Sequence, residues 1–370
     1  MGICANIQSS GFSDKRQKRT CIVKIKLCVF LCSEKMSINW QQRVFVGQGV
    51  YVSMYKQKAK KFPRWILVFL IAAVIFGCNP QGRHWILQKV SSTYASLRTH
   101  PVAFKIAKVS RQVHTTGLSS PHAILIDPAN HTILLQKNSD AKIYPASLTK
   151  MMTAIVAIEN LPDLNEKVTL NPSIFPPLYR ADASLAGFSP RETVRVKDLL
   201  YGALLPSGAE CSVGLADQVA GSEQKFTALM NQKARQLGMK HTHFANATGL
   251  QNREHYSTVQ DLAKLLCYAL QNRTFRKIFT THVFTSMPTR QHPDGVTFQS
   301  TLFRKLKNPS VAGGKILGGK TGFTNEAGLC LASLAEKKGK EYIFITVGAK
   351  VKYGTEPCSI RDACKVYNAF

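Results

Sequence analysis

The sequence predicts an α+β fold, on three observations. Strand-like segments sit at both ends of the globular region, helical patterns fill its middle, and no internal repeat divides it. One sheet built from chain ends far apart in sequence accounts for that order. In chain order, HAILIDPANHTILLQKN reads as two short strands, Ala123 to Ile126 and Ile133 to Gln136, joined by a Pro/Asn turn. PASLTK then opens a helix running to about Glu159. Residues 161–194 are loop-rich, with five prolines. Helices follow in VKDLLYGALL, up to about Leu205, and in CSVGLADQVA. SEQKFTALMNQKARQLGM is amphipathic with Ser222 as its N-cap. STVQDLAKLLCYALQN is another helix, with Ser257 capping and Asn272 near its end. The last hundred residues change character: HVFTSM, AGLCLASLAE and KEYIFITVGAK read as strands, and CSIRDACKVYNAF closes as a helix.

Size and composition fit a globular protein. The chain has 370 residues, 45% hydrophobic and 19% charged, enough to bury a core. Its formal charge of +28 is uneven. Residues 1–120 carry 19 Lys/Arg against 2 Asp/Glu, and the remaining 250 carry 30 against 19. The excess flanks an apolar run, WILVFLIAAVIFGC, Trp65 to Cys78, preceded by Lys56, Lys58, Lys60, Lys61 and Arg64. A basic region before some 14 apolar residues has the build of a secretory signal. It is short for a bilayer-spanning helix, which needs about 20. Charge placed there is explained by export, and no nucleic-acid partner is expected. Met54, directly ahead of the basic cluster, marks the expected translation start. The expected organisation is therefore an upstream extension over 1–53, a signal peptide or membrane anchor over 54–78, a basic juxtamembrane linker over 79–115 and a catalytic domain over 116–370.

Of the ten cysteines, Cys211, Cys267, Cys330, Cys358 and Cys364 fall in the globular part, with no CxxC pair. Buried free thiols are expected for most of them, with a Cys358–Cys364 disulfide left open. His241-x-His243 is the one close histidine pair, and no zinc spacing appears.

The chemistry begins with Ser-x-x-Lys, which occurs four times, at Ser53, Ser139, Ser147 and Ser222. The first falls in the basic region, the second in a polar turn and the last at a helix cap. Ser147 differs: it follows Pro145 at a loop-to-helix transition and precedes a strongly apolar helix. Positions three apart at a helix start share a face, so Lys150 can reach the Ser147 hydroxyl. Serine is a weak nucleophile and needs a base. Lysine serves if burial and nearby cations lower its pKa. A second lysine stands in the one Lys-Thr-Gly of the chain, Lys320 to Gly322. GKILGGKT, Gly314 to Thr321, also matches the phosphate-loop pattern GxxxxGK[ST]. Its context is wrong, because the preceding segment is turn-like and the following one strand-like, where that loop follows a strand and opens a helix. Between the two lysine motifs lies LLPSGAE, with Ser207 between two helices.

These three elements, in this order, resemble the serine-type D-alanyl-D-alanine carboxypeptidases, the low-molecular-weight penicillin-binding proteins of peptidase family S11. The resemblance runs from about Ala123 to Phe370. LIDPANHTILLQKNSDAKIYPASLTKMMTA is similar to the family's strand-turn-strand and nucleophile helix. LMNQKARQLGMKHTHFANATGL and YSTVQDLAKLL are similar to its middle signatures, and GGKTGFTNEAGLCLAS to its final active-site strand. It implies a DD-peptidase/β-lactamase-like fold, an antiparallel sheet flanked by helices with a helical subdomain, and it assigns His241 and His243 to a structural segment.

Carried onto this chain, the resemblance implies Ser147 as the acylated nucleophile, Lys150 as its base and Ser207 as the proton relay to the leaving group. Lys320 and Thr321 line the strand that binds the substrate's terminal carboxylate. The backbone N–H groups of Ser147 and Phe323 form the oxyanion hole, and Gly322 lets the acyl-peptide lie against the strand. Lys350, where the family more often has arginine, adds a positive charge. The implied substrate is a peptidoglycan stem peptide ending in two D-alanines, and β-lactams acylate the same serine. No metal or organic cofactor is implied, and the chain reaches the periplasmic face of the membrane through its amino-terminal segment. One departure stands out: the middle motif is usually Ser-x-Asn, and Ala209 takes the asparagine's place. That leaves as an alternative a homologue that binds penicillin and peptidoglycan without turning over. A β-lactamase would need a deacylating glutamate, and EKVTLN from Glu166 has the wrong spacing and order for it.

Overall fold

Two strands from opposite ends of the sequence lie side by side at the heart of the protein. In the computed structural model, β1 (His122–Asp127) pairs antiparallel with the last strand, β10 (Lys340–Ala349), with Ile126 opposite Ile343 and Ala123 opposite Thr346. The structure describes residues 116–351 and 356–370, together with five short strand segments ahead of them. The chain forms two units, Met1–Arg83 and His84–Phe370. In the first, Ala5–Ile7 pairs with Ile25–Leu27 and Gln41–Val46 with Val50–Tyr55. The apolar run at 65–78 and most of the 79–115 linker lie outside the described residues. Among the described residues, no helix is long and apolar enough to cross a membrane.

The second unit holds a seven-stranded sheet. Its order is β7 (Ser310–Val311), β8 (Gly314–Thr324), β9 (Gly328–Lys337), β10, β1, β2 (Thr132–Lys137) and the two-residue strand Lys105–Ile106. All neighbours are antiparallel except the last pair. The expected joining of the two chain ends is therefore what occurs. Successive side chains of a strand point to opposite faces, and here both faces are buried. Ile124 and Ile126 of β1 and Ile343 and Ile345 of β10 enter the larger core, while Ala123, Leu125 and Phe344 enter a smaller one. The smaller core is closed by α8 (Cys358–Asn368), through Ile360, Ala363, Val366 and Tyr367.

The larger core is organised by α1 (Lys150–Asn160), KMMTAIVAIEN, whose first eight residues are all buried. A helix apolar on every side must be surrounded. It packs against α3 (Val196–Leu204), α4 (Ala209–Ala220), α5 (Glu223–Gln236), α6 (Val259–Ala269) and α7 (Arg273–Phe279). The loop-rich stretch expected at 161–194 also holds β3 (Lys167–Thr169) paired with β4 (Thr193–Arg195), and a short α2 (Phe175–Arg180). A further hairpin, β5 (Val283–Thr285) with β6 (Thr297–Gln299), precedes β7.

Three local expectations need comment. Ser222 caps α5 as expected, accepting from Lys225 N at 3.3 Å. Ser257 does not cap α6: Thr258 does, accepting from Asp261 N at 3.0 Å, because Ser257 is held in a bridge with Ile143. Asn272 does not close α6 but caps α7, accepting from Thr274 N and Phe275 N. The five described cysteines are all free thiols. Cys358 and Cys364 lie six apart on α8, where about 100° per residue turns them away from each other, so they are not paired.

Candidate active site

Ser147 lies on a 3₁₀ turn, Ala146–Thr149, that runs into α1. Side chains three apart eclipse one another in a 3₁₀ turn, and the result is a 3.0 Å hydrogen bond from Lys150 Nζ to Ser147 Oγ. Ala146 has φ +46°, in the left-handed region that L-residues rarely adopt. That turn is pressed from two sides by glycines. A Cβ on Gly249, itself at φ +80°, would lie 1.9 Å from Ala146 O. A Cβ on Gly322 would lie 2.9 Å from Ser147 N. Only glycine lets the two segments approach the nucleophile this closely.

Lys150 is buried, and its second bond goes to Thr248 O at 2.6 Å. That carbonyl is aimed by Asn246, whose Oδ1 accepts from Thr248 N, Thr248 Oγ1 and Gly249 N. Thr153 of α1 donates to Ala247 O at 2.6 Å and fixes the segment to the helix. One residue before Lys150, Thr149 Oγ1 meets the buried His255 Nε2 at 2.7 Å, while His255 Nδ1 accepts from Ala245 N. Nδ1 is thus unprotonated and Nε2–H is the donor.

The second lysine comes from the sheet. Lys320, on β8 and fully buried, donates to Ser207 Oγ at 2.9 Å and to Thr321 O at 2.7 Å. Ser207 sits in the turn between α3 and α4 at φ +73°, again left-handed. Thr321 Oγ1 donates to Thr301 Oγ1 at 2.7 Å, and Thr301 N to Leu205 O at 3.0 Å, so β8 and the α3–α4 turn are also joined around the site.

Burial sets the electrostatics. Removal from water lowers the Lys150 pKa to about 8, against attraction from Glu210, Cys211 and Glu223. It lowers that of Lys320 well below the usual ammonium range, with repulsion from Lys150 and Lys305 adding to it. Two lysines near one nucleophile and short of negative partners make a lysine free base attainable near neutral pH.

Ser147, Lys150, Ser207, Lys320, Thr321 and Gly322 are therefore brought together from three regions of the chain. Phe323 follows on β8 with its ring half-exposed at the rim. Lys350 stands apart: it is exposed, one residue beyond Ala349 of β10, two strands or about 10 Å across from Phe323. Of the other Ser-x-x-Lys matches, Ser139 bonds Gln136 and Ser222 caps α5. Gly314 to Thr321 forms β8 and opens no helix, so the phosphate-loop match fails. His243 pairs with Tyr256 in a bridge and bonds Glu254 O, and among the described residues no cluster suits a metal ion. Ala209 is buried with its N–H on Ser184 O, so no amide side chain stands at that position.

Sequence reasoning missed Asn246, Thr248, Gly249, Thr301 and His255 as parts of the site. FANATGL carried a signal for the first three, since Asn ahead of Thr-Gly is a turn former. A cavity of about 410 Å³, lined in part by Pro177, Leu178, Asp217, Glu223 and Leu250, adjoins the site through Thr248.

Comparison with known proteins agrees with this geometry. The family model described as D-alanyl-D-alanine carboxypeptidase, peptidase S11, matches residues 109–351. The chain is 33% identical over 230 residues to D-alanyl-D-alanine carboxypeptidase DacF of Bacillus subtilis, covering 61% of this chain and 57% of that one. It is 32% identical over 245 residues to the D-alanyl-D-alanine carboxypeptidase of Streptomyces sp. strain K15, covering 64% and 82%. The crystal structure of the Streptomyces K15 DD-transpeptidase superposes with a TM-score of 0.62 at 28% identity, covering 70% of this chain and 98% of that one. The chain thus spans a little over half of the Bacillus relative's length and most of the Streptomyces one. With the family model matched over well more than half its length and the paired serines and lysines in place, the chain belongs to the D-alanyl-D-alanine carboxypeptidase family, peptidase family S11.

Proposed function

We propose that the protein is a serine DD-carboxypeptidase that removes the terminal D-alanine from peptidoglycan stem pentapeptides. The observation that carries this reading is the pair of serine–lysine bonds, Lys150 to the partly exposed Ser147 and Lys320 to the buried Ser207, with the two lysines close enough to repel one another. Ser147 Oγ attacks the carbonyl carbon between the last two D-alanines while its proton passes to the neutral Lys150 Nζ. The oxyanion is received by the backbone N–H groups of Ser147 and Phe323, a reading supported by the close approach of Gly322, the residue before Phe323, to Ser147 N. As the tetrahedral species collapses, the C–N bond breaks and the proton on Lys150 passes through Ser207, held by Lys320, to the leaving amine, which returns Lys150 to its neutral form. Free D-alanine departs, and water then hydrolyses the ester on Ser147, with Lys150 again taking the proton. Lys320, Thr321 and the more distant Lys350 supply the donors and positive charge for the substrate's carboxylate. A β-lactam presents the same carbonyl and carboxylate and acylates Ser147.

The test is D-alanine release from a pentapeptide ending in D-Ala-D-Ala, with Ser147→Ala as control. Release that disappears in the control is expected. Covalent penicillin binding at Ser147 without release would instead support the non-turning-over homologue, the reading that Ala209 favours. The amino-terminal segment 54–78, with its basic flank and apolar run, delivers the domain to the outer face of the cytoplasmic membrane. Fractionation of the native protein, with its amino-terminal peptide sequenced, tests that; recovery from the cytosol with the segment intact would refute it.

A further inference from the structure

One buried ionisable side chain beside the site has no part in the chemistry above. Glu210, the second residue of α4, is fully buried. Its Oε1 accepts from Ala186 N at 2.6 Å and Gly187 N at 3.0 Å. Ala209 N donates back to Ser184 O at 2.8 Å, and a Cβ on Gly208 would lie 2.7 Å from Ala186 Cβ. Segment 184–187 is thereby locked onto the turn that carries Ser207. The other oxygen, Oε2, is buried with no hydrogen-bond partner, and it lies 3.0 Å from where a Gly208 Cβ would stand. A partnerless buried carboxylate oxygen is uncommon in a folded protein and asks for a reason.

We propose that Glu210 is a positioning residue of this site, its Oε1 clamping segment 184–187 to the Ser207 turn and its partnerless Oε2 setting, through space, how readily Lys150 gives up its proton. The inference rests on the acyl-transfer reading above. The titratable groups that act on Lys150 or feel its charge are Glu210 and Cys211 on α4, Glu223 at the start of α5, Lys320 on β8 and His255 before α6. Burial holds the Cys211 thiol well up and His255 down at about 4, so both are uncharged near neutrality. Of the negative groups, Glu210 acts most strongly on Lys150. Burial also raises the Glu210 pKa, against the backbone donors on its carboxylate. As that carboxyl ionises it holds the proton on Lys150, and neutralising it releases Lys150 as base. This places a tuning charge one residue from Ala209, where no amide is available to order the lysine.

The experiment is the pH dependence of penicillin acylation in the full chain, comparing wild type, Glu210→Gln and Glu210→Ala. Gln keeps the acceptor for Ala186 and Gly187 but carries no charge. Its acid limb should move to lower pH, so that its rate relative to wild type is at least about threefold greater at pH 6.5 than at pH 9.5. Ala should show the same move, lose about tenfold or more at all pH, and exchange the Ala186 and Gly187 amides faster. A Gln profile parallel to wild type would overturn the charge role, and an undiminished Ala plateau the clamp. Should Gln fail to fold, the Lys150 Cε resonance of the native protein replaces it: two titration steps are expected, and a single step overturns the proposal. Absence of acylation in wild type would instead remove the proposed function, a separate outcome.

Discussion

Lys320 Nζ donates to Ser207 Oγ at 2.9 Å, joining the sheet to the α3–α4 turn across 113 residues. Neither partner is free to act alone: the lysine amine is fully buried, and the hydroxyl is set by a left-handed backbone. Ser207→Ala and Lys320→Met should each slow penicillin acylation by about 10²-fold or more. Because both remove one bond, the double variant should be little worse than the worse single one. Losses that multiply would show that the two residues work independently.

Lys150 has to be neutral to take the Ser147 proton, and burial brings its pKa to about 8. Acylation should therefore rise about tenfold per pH unit below 8 and level off above it. Lys150→Arg, which stays protonated throughout, should abolish acylation without unfolding the protein. A flat profile between pH 6 and 9 in wild type would exclude Lys150 as the base.

Gly322 and Gly249 press on the same turn but predict different phenotypes. A Cβ at Gly322 meets Ser147 N at 2.9 Å and Ala146 Cβ at 3.2 Å, so Gly322→Ala should shift β8 by a few tenths of an ångström and slow turnover about tenfold or more, with a small change in Tm. Gly249→Ala puts a Cβ 1.9 Å from a carbonyl oxygen at φ +80° and should lower stability by about 2 kcal/mol or more. Urea unfolding set beside kcat separates the two; equal stability losses would contradict the distinction.

His255 is held neutral by burial, with a folded pKa of about 4 against an ordinary 6.5, and His243 and Lys150 repel its charged form. The unfolded state takes up the proton first, so the stability from this residue is present above pH 6.5 and lost as pH falls toward 4. By pH 4.5 the loss should be about 2–3 kcal/mol. His255→Asn should be less stable at pH 7 and flatter with pH; an unchanged slope would rule His255 out as its source.

What could be read from the residues depended on whether the side chain or its setting carried the information. β1 and β2 were placed to within one residue, because apolar runs and a Pro/Asn turn mark their own ends. Ser147 and Lys150 were legible because their spacing is local, and Lys320 because its motif is short and distinctive. The capping of α6 was misread since Ser257 and Thr258 are equally able caps, and only the bridge to Ile143 decides between them. The left-handed Ala146 was invisible, as nothing in an alanine signals it. Thr248 serves through a carbonyl that every residue owns, and Thr301 through contacts fixed only once β8 docks. Glu210 stands beside Ala209 in the sequence, but its two acceptor bonds come from a segment over twenty residues away, which no local pattern reveals.

The pairing of β1 with β10 also has a consequence in time. Ile126 is made more than two hundred residues before its partner Ile343. At about 5–20 residues per second, that is roughly 10–40 s. Throughout that interval β1 has only β2 beside it, and a lone hairpin is marginal in water. The nascent chain therefore carries an unsatisfied sheet edge until β10 is made, and its maturation is limited by the arrival of that strand. Every truncation that removes β10 strands the first half of the protein without the neighbour it was built to meet.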